Sequence, residues 1–326
     1  MKDHPARPAS GYGSRVVRVP PLPIALTPPT LLAGSVDRHS TPPLHLHSPM
    51  QRAPHDIKLS VKDFVRRWAP ARWWPWLQIA RLAMERRTFP RRWVRHTYEG
   101  HPLRVLLGDV VGAMWYDHDW TLPELPVLLT GRLKSGSTVF NIGAHQGVVA
   151  MVLAQTVGSS GRVVAVEADR FHATLAEANR AANGIEQLVV RHAAVGEVAG
   201  PLRHDATTGA IQLGTGPGNS VPAVTIDELT AAYGAPDVIY MDVEGYEALA
   251  LRGATATLAA GTVDVLVEVH GPWLQRYGTA IGDLLQSFPA ATYRSLIFEE
   301  GSTRPLPTDL AALARTRFVL VNFGRR

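Results

Sequence analysis

Apolar residues beyond about residue 100 fall into short runs separated by segments with helical periodicity. Five of these runs are the length of buried strands, and they span residues 138–142, 162–166, 187–195, 238–241 and 263–269. The segments between them have helical patterns; in residues 171–182, for example, Phe171, Leu175 and Ala178 share one face. Strands that alternate with helices in this way predict a parallel sheet covered by helices on both faces.

Further elements are predicted on either side of this alternation. Runs at 293–298 and 317–323 would complete a seven-stranded, mostly parallel sheet, with the last pair as an antiparallel edge. Thr225 and Glu228 have the spacing of a capping box, which predicts that a helix begins there. Helices are also predicted at 247–258 and 274–288, a hairpin at 103–107 and 113–116, and a glycine-rich loop at 209–220 that either closes over a site or only joins strands.

A glycine turn follows the strand at 138–142. Gly143 and Gly147 are separated by Ala144, His145 and Gln146, and an apolar helix pattern begins directly afterwards. Glycines allow the backbone to turn and to approach a ligand closely, and the helix that follows offers free N–H groups to an anionic or polar ligand. We therefore predict that the loop from Asn141 to Gly147 holds the polar end of a nucleotide-like cofactor.

Glu167 ends the next predicted strand, twenty residues beyond Gly147. A carboxylate at that position is suited to accept hydrogen bonds from both hydroxyls of a ribose. The glycine spacing is Gly-x-x-x-Gly rather than Gly-x-Gly-x-x-Gly, which favours S-adenosylmethionine over NAD. Two alternatives stay open at this point, an NAD-dependent oxidoreductase and a purely structural turn.

Polar residues follow the fourth and fifth predicted strands. Asp242 and Glu244 come directly after one, and Glu268 and His270 end the other. Because the carboxyl ends of parallel strands meet at one edge of the sheet, we expect these groups to lie close together in a cleft. Asp242 or His270 is the predicted general base, with Glu244 and Glu268 orienting it or binding substrate. Glu247 is expected to be an exposed helix residue.

A metal site is the alternative use of the same groups. Carboxylates and an imidazole are suitable ligands for a divalent ion. The four residues show no compact ligand motif in the sequence, however, and the prediction is therefore a site without metal.

Several motifs in the right order resemble the FkbM family of S-adenosylmethionine-dependent methyltransferases. They are Phe140 to Gly147, Val166-Glu167-Ala168, Val224 to Leu229, Ile239 to Glu247, Leu251 to Ala254, and Glu268-Val269-His270. The resemblance covers roughly residues 130–325. It implies a class I methyltransferase (Rossmann-like), doubly wound α/β fold, S-adenosylmethionine as cofactor, and methyl transfer to a hydroxyl of a sugar, glycolipid or polyketide-type metabolite.

The resemblance implies a set of cofactor-binding residues, and the chain departs from the usual pattern of that family at three positions. The predicted cofactor contacts are Asn141, Gly143, Ala144, Gly147, Glu167 and Ala168. The family usually has Asp at position 141, Asn at 145 and Lys at 240, whereas this chain has Asn141, His145 and Tyr240. The loss of a charge at Asn141, together with the change at Tyr240, leaves open a cofactor-binding or docking protein without turnover.

Charge divides the 326-residue chain into unlike parts. Residues 1–100 carry 17 Lys and Arg against 6 Asp and Glu, whereas residues 101–326 carry 16 against 22. The acidic C-terminal part argues against a nucleic-acid substrate. The composition predicts a disordered Pro-rich tail at 1–55, a basic Trp/Arg-rich connector at 56–97 and the methyltransferase domain at 98–326.

Tryptophan and arginine alternate within residues 61–97, where prolines are expected to limit helices to short pieces. This composition suits peripheral contact with an anionic membrane, with packing of the tryptophans on the domain as the alternative. The chain has no cysteine and no apolar run of about 20 residues, and we expect a cytoplasmic protein.

Overall fold

In a computed structural model of the chain, the described residues are 74–207, 209–212 and 219–325. The tail predicted for 1–55, the connector residues 56–73 and the centre of the 209–220 loop lie outside them.

The chain forms strands and helices in alternation through most of this part. The strands are β1 Arg92–Tyr98, β2 His101–Leu107, β3 Thr138–Ile142, β4 Arg162–Glu167, β5 Leu188–His192, β6 Ala194–Val195, β7 Gly200–Asp205, β8 Ala210–Gln212, β9 Asn219–Val224, β10 Val238–Asp242, β11 Asp264–His270, β12 Tyr293–Glu299 and β13 Arg317–Gly324. The helices are α1 Trp74–Thr88, α2 Val110–Tyr116, α3 Leu125–Leu129, α4 Val148–Val157, α5 Arg170–Ala182, α6 Ile226–Tyr233, α7 Glu247–Arg252, α8 Thr255–Ala259, α9 Gly271–Leu274, α10 Ile281–Gln286 and α11 Leu310–Leu313.

Seven strands form the main sheet in the order β12-β13-β11-β10-β3-β4-β5. β13 is antiparallel to both of its neighbours, and the pairs among β11, β10, β3, β4 and β5 are all parallel. The predicted seven-stranded, mostly parallel sheet is therefore confirmed. The chain moves outward from β3 through β4 to β5 and then returns to β10 on the other side of β3. Such a reversal leaves a crevice beyond the carboxyl ends of β3 and β10, where ligands bind in sheets of this kind.

Alternate residues of each central strand face opposite layers of the core. In β3, Phe140 and Ile142 pack in one buried cluster and Val139 in the other. In β10, Ile239 belongs to the first cluster and Tyr240 to the second. Burial on both faces explains why the central strands are nearly continuous apolar runs in the sequence.

A second sheet, in the order β6-β9-β7-β8, was not predicted. The run at 187–195 splits between β5 of the main sheet and β6, which pairs with β9 instead. The strands of this sheet carry Gly200, Pro201 and Pro222, residues that sequence patterns assign to turns.

Two other sequence predictions were wrong. The hairpin joins β1 and β2 through Glu99 and Gly100, and residues 110–116 form a helix instead of its second strand. That helix begins at Asp109, whose carboxylate accepts a hydrogen bond from the Gly112 N–H at 2.8 Å. The 15-residue helix α1 is also longer than expected, because Pro75 lies in its first turn, where the missing N–H costs little.

The capping box at Thr225 is confirmed, with hydrogen bonds in both directions to Glu228. The helix predicted at 247–258 is interrupted at Gly253 into α7 and α8. In place of the helix predicted at 274–288, the chain forms a 3₁₀ turn at Gln275–Tyr277 and the separate helix α10.

Candidate functional site

A cavity of about 520 Å³ opens beyond the carboxyl ends of the central strands. Gly143, Glu167 and Asp242, which end or follow β3, β4 and β10, line it, and so does Glu268, two residues before the end of β11. The volume is in the range of small-molecule sites, which is about 300–1,000 Å³. The cavity therefore lies where the sheet topology predicts a ligand.

The two glycines of the turn allow close packing between elements of the protein. Gly143 has φ +81°, and a Cβ there would lie 1.7 Å from the carbonyl oxygen of Asp242. Gly147 has φ +82°, and a Cβ would lie 2.9 Å from the Cβ of Ala176 in α5. Gly143 thus brings the end of β3 against β10, and Gly147 brings the start of α4 against α5.

The N–H groups of this turn are hydrogen-bonded within the protein. Those of Gly143 and Ala144 donate to the Val166 carbonyl, and that of Gly147 donates to the Ala144 carbonyl. The His145 N–H donates to Oε2 of Glu167 at 2.7 Å. These four donors hold the turn in shape, and a cofactor bound here must find its donors elsewhere.

Glu167 is fixed by two such bonds. Its Oε2 accepts from the His145 N–H and its Oε1 accepts from the Asp169 N–H, each at 2.7 Å. Because each carboxylate oxygen has two lone pairs, one on each remains for a ligand in the cavity. Ala168 also lines the cavity, next to Glu167.

The other predicted cofactor residues lie behind this surface. Asn141, Ala144 and Gly147 do not line the cavity, whereas Gly143, Glu167 and Ala168 do. Asn141 is 1% exposed in the middle of the sheet, and its Oδ1 has no hydrogen-bond partner among the described residues.

The predicted catalytic residues do come together. We call Asp242, Glu244 and His270 the acid–histidine cluster. The His270 Nε2 lies 3.3 Å from Oε2 of Glu244 and 3.7 Å from Oδ1 of Asp242. Asp242 and Glu244 line the cavity, whereas His270 is 1% exposed and lies beneath them. Of the two predicted bases, Asp242 is the one that faces the cavity.

Glu247 is a correction to the sequence prediction, because it is fully buried and not an exposed helix residue. Its Oε1 accepts hydrogen bonds from the Gly245 N–H and from Nδ1 of His270, both at 2.9 Å. Trp273 stacks on the His270 ring with centroids 5.1 Å apart and an interplanar angle of 19°. Glu247 and Trp273 together fix the orientation of the imidazole.

Burial raises the pKa of the carboxyl groups in this part of the cavity. For Asp242 the pKa is raised well above its usual value by burial, then by the nearby charges of Glu268 and Glu244. The pKa of Glu268 is also raised by burial, although the hydrogen bond from the Tyr240 hydroxyl partly opposes this rise. Tyr240, which stands where the family usually has Lys, therefore serves as a neutral donor to Glu268.

A second group of polar residues lies at the cavity and was not predicted from the sequence to belong to the site. Asp109 accepts hydrogen bonds from Nε2 of His172 at 2.7 Å and from the Gln146 side chain at 3.0 Å. The rings of His172 and His145 lie 4.0 Å apart. Burial, followed by the charge of His172, lowers the pKa of His145 to about 3, which leaves that ring neutral near neutral pH. Asp109 follows the apolar strand β2 by two residues, and this abrupt change from apolar to acidic residues is a signal that could have identified it.

Two described arginines of the basic connector pair with carboxylates of the domain. Arg86 pairs with Asp169, and its guanidinium lies 4.3 Å from the centroid of the Phe171 ring. Arg92 pairs with Asp117, but both side chains of this pair are partly exposed. In the part of the chain that the structure describes, no helix has the length and apolar character needed to span a membrane.

Comparisons with known proteins agree with the motifs. Residues 141–295 match the family model described as the Methyltransferase FkbM domain. A comparison with curated proteins finds no match. Among solved structures, methyltransferase FkbM from Methylobacillus flagellatus KT shares 18% identity at a TM-score of 0.40, over 57% of this chain and 43% of that chain. The chain thus covers less than half the length of that protein.

Two other solved structures are similarly distant. A SAM-dependent O-methyltransferase from Thermotoga maritima shares 15% identity at a TM-score of 0.38, over 72% of this chain and 78% of that chain. Fibrillarin from Aeropyrum pernix, solved in complex with S-adenosyl-L-methionine, shares 12% identity at a TM-score of 0.39, over 72% and 83% of the two chains. These similarities specify no substrate and no partner.

The sheet order and the strand directions are those of the predicted class I methyltransferase (Rossmann-like) fold. The family model spans the glycine turn, Glu167 and the acid–histidine cluster, which are the motifs that carried the resemblance. Residues 141–295 of this chain are therefore similar to the FkbM methyltransferase domain, both in their motifs and in the order of those motifs.

Proposed function

We propose that this protein transfers a methyl group from S-adenosylmethionine to a hydroxyl group of a polyhydroxylated acceptor, such as a sugar or a sugar-linked lipid. The observation that carries the proposal is one cavity of about 520 Å³ with Glu167 at the end of β4 and Asp242 at the end of β10. Glu167, which would accept hydrogen bonds from the cofactor's ribose, and Asp242, the candidate base, thus lie on the two sides of the crevice beside β3.

Glu167 supports the placement of the cofactor. Its oxygens are fixed by backbone N–H groups and keep lone pairs toward the cavity, which suits the two hydroxyls of a ribose. The cofactor's amino-acid end would then lie near Gly143 and His145. Its methyl group would point toward Asp242.

Methyl transfer breaks the bond between sulfur and the methyl carbon and forms a bond between that carbon and the acceptor oxygen. The sulfonium takes the electron pair and becomes a thioether, and the hydroxyl proton goes to a carboxylate. Asp242 is the proposed base, because it lines the cavity and burial raises its proton affinity. General-base help of this kind contributes about 10²- to 10⁴-fold in rate, and alignment of the reacting atoms contributes more.

Aromatic rings and carboxyl groups line the part of the cavity that we assign to the methyl acceptor. Trp115 and Trp120 line one part, and Glu124, Glu268 and Glu300 line another. Carboxyl groups accept hydrogen bonds from several hydroxyls, and indole rings offer a flat apolar surface. This combination favours an uncharged, hydroxyl-rich acceptor over a nucleic acid, whose phosphates the acids would repel.

Peripheral contact with an anionic membrane through residues 61–97 and a cytoplasmic location stay predictions. Arg86 and Arg92 are engaged by carboxylates of the domain, which supports the packing alternative for these two side chains. The other arginines of the connector could still meet lipid phosphates.

Calorimetric titration with S-adenosylmethionine and its demethylated product tests the cofactor. We expect Glu167→Ala to abolish binding and Glu186→Ala, at an exposed position beyond α5, to leave it unchanged. Because Glu167 also holds the turn, circular dichroism must show that the variant is folded. Equal binding by both variants would refute the placement, and binding of NAD alone would revive the oxidoreductase.

Turnover needs a second measurement. Transfer of labelled methyl from the cofactor into a glycan or lipid extract, lost in Asp242→Asn, would establish a methyltransferase. Cofactor binding without any labelled product would favour the binding protein without turnover.

A further inference from the structure

We infer that the acid–histidine cluster binds one divalent transition-metal cation at the floor of the cavity. The ligand atoms are Oδ1 of Asp242, Oε2 of Glu244 and Nε2 of His270, which lie within 4.8 Å of one another. The sequence analysis predicted no metal, because the three residues come from two strand ends and show no compact motif. The parallel sheet brings them together by pairing Asp242 with Glu268, two residues before His270.

The distances are those of ligands around one ion. His270 Nε2 lies 3.3 Å from the Glu244 oxygen and 3.7 Å from the Asp242 oxygen. Two ligands that each lie about 2.1 Å from a cation are separated by about 3.0–3.6 Å at angles of about 90–120°. Small side-chain adjustments would place all three atoms around a common centre.

None of these three atoms has a hydrogen-bond partner within the described part of the chain. His270 is the decisive case, because its side chain is 1% exposed and water cannot readily satisfy it. Its Nδ1 faces Oε1 of Glu247, an oxygen that also accepts the Gly245 N–H. Nδ1 therefore donates to Glu247, and Nε2, which faces two carboxylate oxygens, is the ring nitrogen that remains for a ligand. Three electron-pair donors without a partner call for a cation between them.

The surroundings of His270 match those of a metal-bound imidazole. Histidine ligands commonly donate their second N–H to a carboxylate, which fixes the tautomer and the direction of the ring. Glu247 provides that carboxylate, and Trp273 stacks on the ring.

Strained backbone directs Glu244 into the cluster. Glu244 has φ 55° and Gly245 has φ 97°, both in the left-handed region. A residue other than glycine rarely adopts this conformation unless its surroundings impose it. Here the turn directs the Glu244 side chain toward His270 instead of away from the sheet.

Two carboxylates with one imidazole suit Mn²⁺, Fe²⁺ or Zn²⁺, since carboxylates favour harder ions and imidazole favours the later metals. Asp242 and Glu244 face the cavity, so an acceptor oxygen can reach a bound ion. Coordination would lower the pKa of that hydroxyl and ease transfer of its proton to the cavity carboxylates. This role rests on the proposed methyl transfer, whereas the site itself does not.

Titration with Mn²⁺, followed by the electron paramagnetic resonance signal of the free ion, tests the site in the full chain after EDTA treatment and dialysis. We expect one Mn²⁺ per wild-type chain, and at least about tenfold weaker binding for Asp242→Asn and for His270→Asn. Glu300→Gln removes another carboxylate of the same cavity and should change the affinity by less than about threefold. If His270→Asn does not fold, Glu244→Gln tests the site instead, because Glu244 is partly exposed; we expect weaker Mn²⁺ binding in this variant too.

Absence of Mn²⁺, Fe²⁺ and Zn²⁺ binding by the wild-type chain would overturn the inference, as would equal affinity in Glu244→Gln and wild type. Titration of the same EDTA-treated protein with S-adenosylmethionine reports on the proposed function separately. Cofactor binding without cation binding would remove only the metal site.

Discussion

Glu247 and His270 form a buried hydrogen bond of 2.9 Å between the first residue of α7 and the last residue of β11. The Glu247 side chain is fully buried and that of His270 is 1% exposed. A partner lost here cannot be replaced by bulk water, and the remaining polar group carries its desolvation cost. The pair therefore both stabilises the fold and fixes the ring that reaches the acid–histidine cluster.

Glu247→Ala should lower the free energy of unfolding by roughly 1–3 kcal/mol, because it leaves Nδ1 of His270 and the Gly245 N–H without their acceptor. Glu247→Gln keeps an oxygen that can accept both bonds and should recover much of the loss. Urea denaturation followed by circular dichroism measures both. Equal stability of the two variants would show that the acceptor oxygen is unimportant.

The sequence predicted the main sheet because its strands are buried on both faces and appear as short apolar runs. It also placed Asp242, Glu244 and His270 together, because parallel strands align their carboxyl ends. Glu247 was misjudged, since a glutamate at the start of a helix is usually exposed and only the packing of β11 beside α7 buries it. The second sheet was missed because its strands are short and carry prolines.

The sequence predicted the glycine turn, but it did not predict that the N–H groups of the turn bind within the protein. Hydrogen bonds from Gly143 and Ala144 to Val166 depend on the alignment of β3 with β4, which no local pattern reveals. The partnership of Asp109 with His172 likewise joins residues 63 positions apart. Contacts at such separation are fixed by topology and not by local propensity.

Gly143→Ala should distort the cavity, because the new Cβ would lie 1.7 Å from the Asp242 carbonyl oxygen in addition to the cost of φ +81°. Gly136→Ala is a matched control, with φ +84° and its nearest neighbour at 3.7 Å. We expect the control to lose about 1–2 kcal/mol from backbone strain alone. Gly143→Ala should lose clearly more and should also lose cofactor binding, as measured by denaturation and calorimetry. A similar loss of stability in both variants would mean that the backbone of β10 shifts at little cost to make room for the new Cβ.

Asp109 should make the protein sensitive to acid. Burial raises its pKa, but the hydrogen bond and charge of His172, with the Gly112 N–H, more than offset this and lower it to about 2 from the usual 3.8. Since the folded-state pKa is the lower one, the unfolded chain binds the proton more readily. The stabilisation is therefore fully present above about pH 4 and is lost as the pH falls toward 2.

Comparison of wild type with Asp109→Asn measures this contribution. We expect the wild type to be more stable by about 2 kcal/mol at pH 6 and the two to converge near pH 2, because one pKa unit corresponds to about 1.4 kcal/mol. Thermal unfolding between pH 2 and pH 6 records the difference. A gap that does not change with pH would assign the effect of the substitution to packing instead of ionisation.

Arg86 should anchor α1 to the domain. Its side chain is 14% exposed and pairs with Asp169, which is the N-cap of α5 and is 8% exposed. Removal of one partner leaves a largely buried charge, and Arg86→Ala should therefore cost roughly 1–3 kcal/mol. Arg81 lies on the same helix, but its side chain is 66% exposed and its Nε is 4.0 Å from Oε2 of Glu85, which makes a weak ion pair. Arg81→Ala should therefore lower the free energy of unfolding by no more than about 0.5 kcal/mol. Urea denaturation of the two variants, with limited proteolysis to detect release of α1, makes the comparison. If Arg81→Ala proved as costly as Arg86→Ala, the buried pair with Asp169 could not be what holds the helix in place.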